Sequence, residues 1–167
     1  MDIKLHNLDR GIRNFLSLYL LVILIGIIVG LLYLKFSTSL TAEGTITSLN
    51  GNEERAVAEM DVEFKFPKSV AELLVTTHNH IFGFAFMILG VGIIFFFNST
   101  VTGKWKMFLM LEPLISTILT FGSIWLVRFV DSSFVLVTII SAILLYASLI
   151  IMIAVSIYDL KFKSVAG

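Results

Sequence analysis

The fold is decided by residues 14–34, which read NFLSLYLLVILIGIIVGLLYL and contain no charged side chain. A helix needs about 20 apolar residues to cross about 30 Å of hydrocarbon, and this stretch supplies them. Three further stretches meet the same criterion, at residues 79–97, 107–127 and 133–158. The sequence therefore predicts an all-α polytopic membrane protein with four transmembrane helices, in which residues 1–167 form a single membrane domain.

The composition of the chain points to lipid surroundings. Hydrophobic residues make up 57% of the chain and charged residues only 14%, whereas a soluble domain carries about a quarter charged residues. So few charges exclude a soluble globular protein and a disordered tail. A formal net charge of zero excludes a nucleic-acid-binding protein. Because the chain has no cysteine, disulfides, thiolate metal sites and Fe–S clusters are excluded as well. The lipid bilayer is the expected partner.

The placement of Lys and Arg predicts the orientation of the spans. Cytoplasmic segments of membrane proteins carry an excess of these cations. With a cytoplasmic N-terminus, the inner segments hold Lys4, Arg10, Arg13, Lys104, Lys106, Lys161 and Lys163. The longer outer segments then hold Lys35, Arg55, Lys65, Lys68 and Arg128. We therefore expect a multi-pass protein of the cell inner membrane with both termini in the cytoplasm.

The first stretch has an alternative interpretation as a cleaved signal peptide. Small residues follow it, among them Ser37, Ser39 and Ala42. Its apolar run of about 20 residues exceeds the usual 7–15 of a signal peptide. The sequence favours a retained first span.

The external loop, residues 35–78, is the only sizeable part predicted outside the membrane. Asn50 and Gly51 favour a tight turn, and residues 61–66 alternate between apolar and polar side chains as a half-buried strand does. We therefore predict a small external cap with a short β-hairpin or strand. Ser69 and Glu72 have the spacing of a capping box, which predicts one long helix over residues 68–97.

Two histidines, His78 and His80, open the second span. Imidazole in a membrane is costly unless it is hydrated, paired or ligated, and it serves as a haem or metal ligand or as a proton acceptor. Residues two apart on a helix point about 200° away from each other, so these two cannot bind one ion from a regular helix. Each is a candidate ligand for haem b, quinone or a metal. The alternative is a polar cap hydrogen-bonded to the external loop.

Five other side chains are predicted at the same outer level as the histidines: Tyr33, Lys35, Trp125, Arg128 and Asp131. Of these, Tyr33, Trp125 and Arg128 are candidate cofactor-binding residues. Arg128 has the fixed donor geometry that suits a haem propionate or a quinone carbonyl, or it pairs with Asp131. The remaining histidine, His6, is expected at the opposite surface. A haem therefore needs a second ligand that is not histidine, or one from a symmetry-related copy or another subunit.

Glu112 is the one acid inside the third span. A charged carboxylate at this depth costs a few kcal/mol, so we expect it to be protonated, paired or hydrated. Ser116, Thr120 and Ser123 follow at helical spacing and form one polar stripe. The stripe predicts a proton path toward the histidine level. Packing between helices is the alternative.

The sequence leaves three functions open. The leading hypothesis is an accessory subunit of a respiratory or electron-transfer complex, contributing a histidine to a haem b or quinone site at the external face. The alternatives are a cofactor-free packing or assembly protein and a small metal- or proton-coupled transport protein. Phosphate-binding loops and hydrolase motifs are absent from the sequence, which argues against an autonomous enzyme. Other membrane subunits or further copies of this chain are the expected protein partners.

Overall fold

The structure is a computed structural model that describes residues 4–52 and 64–163. Its α-helices are α1 (Arg10–Thr38), α2 (Ala42–Asn50), α3 (Val70–Phe96), α4 (Gly103–Phe129) and α5 (Val135–Lys161), and 3₁₀ turns lie at Leu5–Asn7 and Ser132–Phe134. Four of these helices, α1, α3, α4 and α5, are long and apolar enough to cross a membrane. The predicted all-α fold with four spans is confirmed.

Side-chain caps, rather than the edges of the apolar runs, set where α1 and α3 begin. Asp9 caps α1 by accepting a hydrogen bond from the Gly11 N–H at 2.7 Å. At α3, the predicted capping box is present. The Ser69 hydroxyl accepts from the Glu72 N–H at 3.3 Å, and the Ser69 N–H donates to Glu72 Oε2 at 2.8 Å.

The external loop differs from the prediction of a hairpin or strand. Residues 42–50 form α2, which Thr41 caps by accepting from the Gly44 N–H at 3.0 Å. Gly51 takes the expected positive φ of 79°, but it ends this helix instead of making a hairpin. Of the predicted strand, residues 64–66 are not in a strand, and residues 61–63 lie outside the described part of the chain. Leu49 of α2 is buried in the hydrophobic core. This tertiary contact stabilises a helix where the local sequence favoured a turn.

The last helix, α5, lies at the centre of the bundle and packs against α1, α3 and α4. Leu145, Leu149, Met152 and Ile153 on this helix are fully buried. We call the end of the bundle that carries α2 the cap end, and the opposite end, where Leu5–Asn7 and the last turn of α5 meet, the terminal end.

The first span, α1, is peripheral, with 11% of its most apolar window buried. At the terminal end it is nevertheless fastened to the bundle. The Arg13 Nε–H donates to the Leu160 carbonyl at 2.6 Å, and the Leu5 N–H donates to the Phe97 carbonyl at 3.2 Å. These contacts join the N-terminal segment and α1 to the end of α3 and to α5.

Candidate functional site

The two predicted histidines lie on the cap-end half of α3, within a run of five polar residues from Thr76 to His80. Both are exposed and, as their spacing requires, they face different surroundings. The His78 ring packs on the exposed Phe82 ring at 4.8 Å between centroids. The His80 ring instead packs against the buried Phe121 of α4, also at 4.8 Å. The two side chains therefore do not form one site.

A backbone hydrogen bond holds the His80 imidazole in place. Its Nδ1 lies 2.8 Å from the Thr76 carbonyl oxygen. Because a carbonyl only accepts, Nδ1 carries the proton, and in the neutral ring Nε2 holds a lone pair. Within residues 4–52 and 64–163, Nε2 makes no hydrogen bond. Histidines that bind metals use the same arrangement, in which one nitrogen donates to a carbonyl and the other ligates.

His80 lies near the cap-end edge of the predicted span 79–97, of which it is the second residue. Its contact partner Phe121 and the cation Arg128 are seven residues apart on α4, which is about 10 Å at 1.5 Å per residue. The exposed imidazole therefore lies on the surface of the bundle, on the apolar side of Arg128.

Of the other side chains predicted at this level, Trp125 contacts the polar run that contains the histidines. Its Nε1–H donates to Thr77 Oγ1 at 2.9 Å and links α4 to α3. Tyr33 is 72% exposed on α1 and is not part of this contact. In the described part of the chain, no group of three or more His, Cys, Asp or Glu side chains is arranged to hold a metal ion.

The Arg128 side chain contacts the start of α3 at the cap end. Its Nε–H donates to the Lys68 carbonyl at 3.0 Å, and its guanidinium lies 5.2 Å from the centroid of the Phe129 ring. Asp131 has a different partner and caps the 3₁₀ turn by accepting from the Ser133 N–H at 2.7 Å. Hydrogen bonds from the Ser133 hydroxyl and N–H lower the pKa of the Asp131 carboxyl below its usual value. The two residues are thus assigned to separate structural contacts.

The predicted polar stripe of α4 is buried against α5. Glu112, Ser116, Thr120 and Ser123 are each less than 9% exposed. Two contacts between hydroxyl groups join the helices. The Thr120 hydroxyl donates to the Ser141 hydroxyl at 2.8 Å, and the Ser123 and Thr138 hydroxyls lie 2.7 Å apart. The stripe is therefore a polar seam between α4 and α5.

Glu112 lies at the end of this seam nearer to the terminal end of the bundle. One of its carboxyl oxygens accepts a hydrogen bond, and the other has no partner among the described residues. Its Oε1 accepts from the Ser116 hydroxyl. Its Oε2 is buried and has no hydrogen-bond partner among the described residues. An unpartnered polar atom away from water costs about 1–3 kcal/mol, so this oxygen is a candidate position for a proton, a water molecule or a cation.

A second polar cluster, which the sequence did not predict, closes the terminal end. The Asp159 carboxylate is fully buried and lies 3.0 Å from His6 Nδ1. It also accepts from the Ser99 N–H at 2.5 Å and from the Ser99 hydroxyl at 3.0 Å. The Lys163 ammonium donates to that hydroxyl at 2.8 Å. Asp159 directly follows the predicted fourth span. An acidic residue at that position was the one sequence feature that could have pointed to this cluster.

This cluster does not have the geometry of a hydrolytic triad. Ser99 Oγ lies 3.2 Å from His6 Nδ1, the same nitrogen that faces Asp159. A catalytic histidine needs one ring nitrogen for the nucleophile and the other for the acid. The arrangement instead ties together the N-terminal segment, the α3–α4 connection and the end of α5.

Comparison with known proteins supports the membrane assignment. Residues 39–166 match a family described as a transmembrane helical domain, Aq_1264_TM. The match begins directly after α1 and covers α2 to α5. No curated protein and no solved structure matches the chain.

Proposed function

The chain belongs to the Aq_1264_TM family of transmembrane helical domains, and we propose that within a membrane it is an accessory subunit of an electron-transfer complex, in which His80 meets a haem b or a quinone. The observation that carries this proposal is the exposed, oriented imidazole of His80. The proposed setting is a respiratory complex of the cell inner membrane, with the terminal end in the cytoplasm. The cations at that end support this orientation.

The first argument is the cost of leaving His80 against acyl chains. Polar side chains in the hydrocarbon layer pair with one another or with groups in a cavity, and an unpaired one costs several kcal/mol. Among the described residues, the imidazole makes a hydrogen bond only through Nδ1. A polar group from outside the chain is therefore expected to cover Nε2. Another membrane subunit, or a cofactor held between two subunits, supplies such a group.

The second argument is the shape of the surface around His80. Gly83 is exposed one helical turn further along α3, and a Cβ added there would meet no atom within 4 Å. The ring of Phe121 forms one wall beside the imidazole. A flat molecule can approach such a surface closely. The Nε2 lone pair suits haem iron or the hydroxyl proton of a quinol. For haem, the second axial ligand would come from a partner subunit or a second copy.

The proposal is tested by replacing the two histidines separately in the complex purified from its native membrane. His80→Ala should remove the haem Soret band or the extractable quinone and weaken co-purification of partner subunits. His78→Ala is the matched control, because its ring packs only on an exposed phenylalanine, and it should retain both. A Soret band or quinone content that survives His80→Ala would overturn the proposal. A colourless, quinone-free assembly that both variants leave intact would support a cofactor-free packing protein instead.

A second candidate function is proton-coupled transport through Glu112. The specific observation is its buried and unpartnered Oε2, at the end of the polar seam of α4 and α5. Ser116, Thr120 and Ser123 would form the path from this carboxyl toward the cap end. Among the described residues, no hydrogen bond joins Ser116 to Thr120, and a water molecule would have to bridge this gap.

Flux through reconstituted vesicles tests this second candidate. Glu112→Gln keeps the shape of the side chain and removes its exchangeable acid, so proton-driven uptake should stop while expression is unchanged. Glu72→Gln is the control, since Glu72 is an exposed acid of the α3 capping box. Unchanged flux in Glu112→Gln would reject the transport role and leave the seam with a packing role.

A further inference from the structure

An apolar groove opens between α3 and α4 in the terminal-end half of the bundle. Its volume is about 590 Å³. Side chains from both helices line it, among them Ala85, Leu89 and Phe96 from α3 and Met107, Met110 and Leu114 from α4. Gly92 also lines the groove, and a Cβ added there would meet no atom within 4 Å. The groove is therefore open beside the backbone of α3.

The groove has the length of one leaflet of a bilayer. It runs along α3 from Ala85 to Phe97, which is about 18 Å at 1.5 Å per residue. Half of the hydrocarbon layer is about 15 Å thick. The groove thus begins near the membrane surface at the terminal end and ends near the midplane, as a single acyl chain does.

Two lysines and a tryptophan lie at the surface end of the groove. Lys104 is exposed and precedes Met107 by three residues, which places it on the groove face of α4. The Lys106 ammonium donates to the Phe96 carbonyl at 2.9 Å and to the Asn98 carbonyl at 2.6 Å. An ammonium has three protons, so one remains for an outside acceptor. Trp105 is 72% exposed, as is typical of residues at the membrane interface.

From this geometry we propose that the groove binds an acyl chain of an anionic phospholipid whose phosphate is held by Lys104 and Lys106. This inference is independent of the proposed function. Each lysine near an anionic surface contributes about 1 kcal/mol, so the cations select acidic headgroups while the groove holds the tail. A second copy of the chain fits less well. All copies share one orientation in a membrane, so its own terminal-end cations would meet this rim and repel it.

The chain offers a built-in probe, because it has only two tryptophans, Trp105 and Trp125. In a Trp125→Phe background, Trp105 reports directly on lipid at the mouth of the groove. The full chain would be reconstituted into phosphatidylcholine vesicles that contain dibrominated phosphatidylglycerol or dibrominated phosphatidylcholine. Quenching of Trp105 fluorescence by each lipid then gives the preference for the anionic lipid.

We expect a preference of about fivefold per lysine. Lys104→Gln should lower it about fivefold. Gly92→Leu should also lower this preference at least fivefold, because the added side chain occupies the groove, where a Cβ at this position meets no atom within 4 Å. Gly26→Leu on α1 is the matched control, since Gly26 also has open space around it but lies outside the groove, and it should keep the preference.

Three results would overturn the proposal. A parent protein with equal quenching by the two lipids binds no particular phospholipid. A preference lost in Lys104→Gln but unchanged in Gly92→Leu means that the lysines attract headgroups without the groove. The chain has no cysteine of its own, so Leu89→Cys provides the third readout. Disulfide-linked dimers of this variant in vesicles would mean that a second copy fills the groove.

Discussion

Removal of the Asp159 carboxylate tests how the terminal end is held together. This side chain is fully buried and accepts hydrogen bonds from the Ser99 N–H and from His6. Asp159→Ala leaves the Ser99 N–H without an acceptor and releases the segment before α1 from α5. A hydrogen bond to a charged group contributes about 1.5–3 kcal/mol. The loss of the two contacts therefore predicts a decrease in the free energy of unfolding of about 3–6 kcal/mol.

The measurement is reversible unfolding of the full chain in mixed micelles, titrated with sodium dodecyl sulfate and followed by circular dichroism. Asp131→Asn is the control, because Asp131 also caps a helical turn but is exposed, and its effect should be far smaller. A double-mutant cycle of Asp159→Ala with His6→Ala should give a coupling of about 0.5–3 kcal/mol. A decrease in the free energy of unfolding of less than about 1 kcal/mol in Asp159→Ala, with no coupling to His6, would refute the reasoning. Such a decrease is smaller than the contribution of one hydrogen bond to a charged group.

Three further predictions use the same unfolding measurement. Gly90→Ala should destabilise the protein because a Cβ would overlap the Tyr19 hydroxyl oxygen; addition of Tyr19→Phe should restore stability, and failure of this rescue would contradict the contact. Thr120→Val should cost about 0.6–1.7 kcal/mol by removing the bond to Ser141, and the same cost in a Ser141→Ala background would show that the two hydroxyls are not coupled. Ser69→Ala should cost about 1 kcal/mol and speed amide exchange in the first turn of α3, because it opens the capping box; unchanged exchange would argue against the cap.

The elements that could be predicted from the sequence depend on local properties. The four spans follow from the length of apolar runs, because a helix must satisfy its own backbone hydrogen bonds in hydrocarbon. The start of α3 follows from the spacing of Ser69 and Glu72, since both partners of the capping box lie within one helical turn. The separation of His78 from His80 follows in the same way from helical periodicity.

The helix α2 and the contact of Arg128 with the Lys68 carbonyl could not be predicted from local pattern. The segment of residues 42–50 is short and mostly polar. It forms a helix in which Leu49 is buried against other helices. Arg128 meets the Lys68 carbonyl because the end of α4 lies beside the start of α3. Both outcomes depend on contacts between residues far apart in the chain.

The amino-acid sequence by itself determined that this chain is a bundle of four membrane-spanning helices, and where each helix lies, because hydrophobicity and backbone hydrogen bonding act within a single segment. Only the tertiary structure decided which polar groups are buried together. It joined His6, Ser99 and Asp159 at one end, left Glu112 Oε2 without a hydrogen-bond partner among the described residues, and placed the exposed His80 ring against Phe121. Those positions depend on how helices rotate and pack against one another, and the period of a single helix does not specify that rotation.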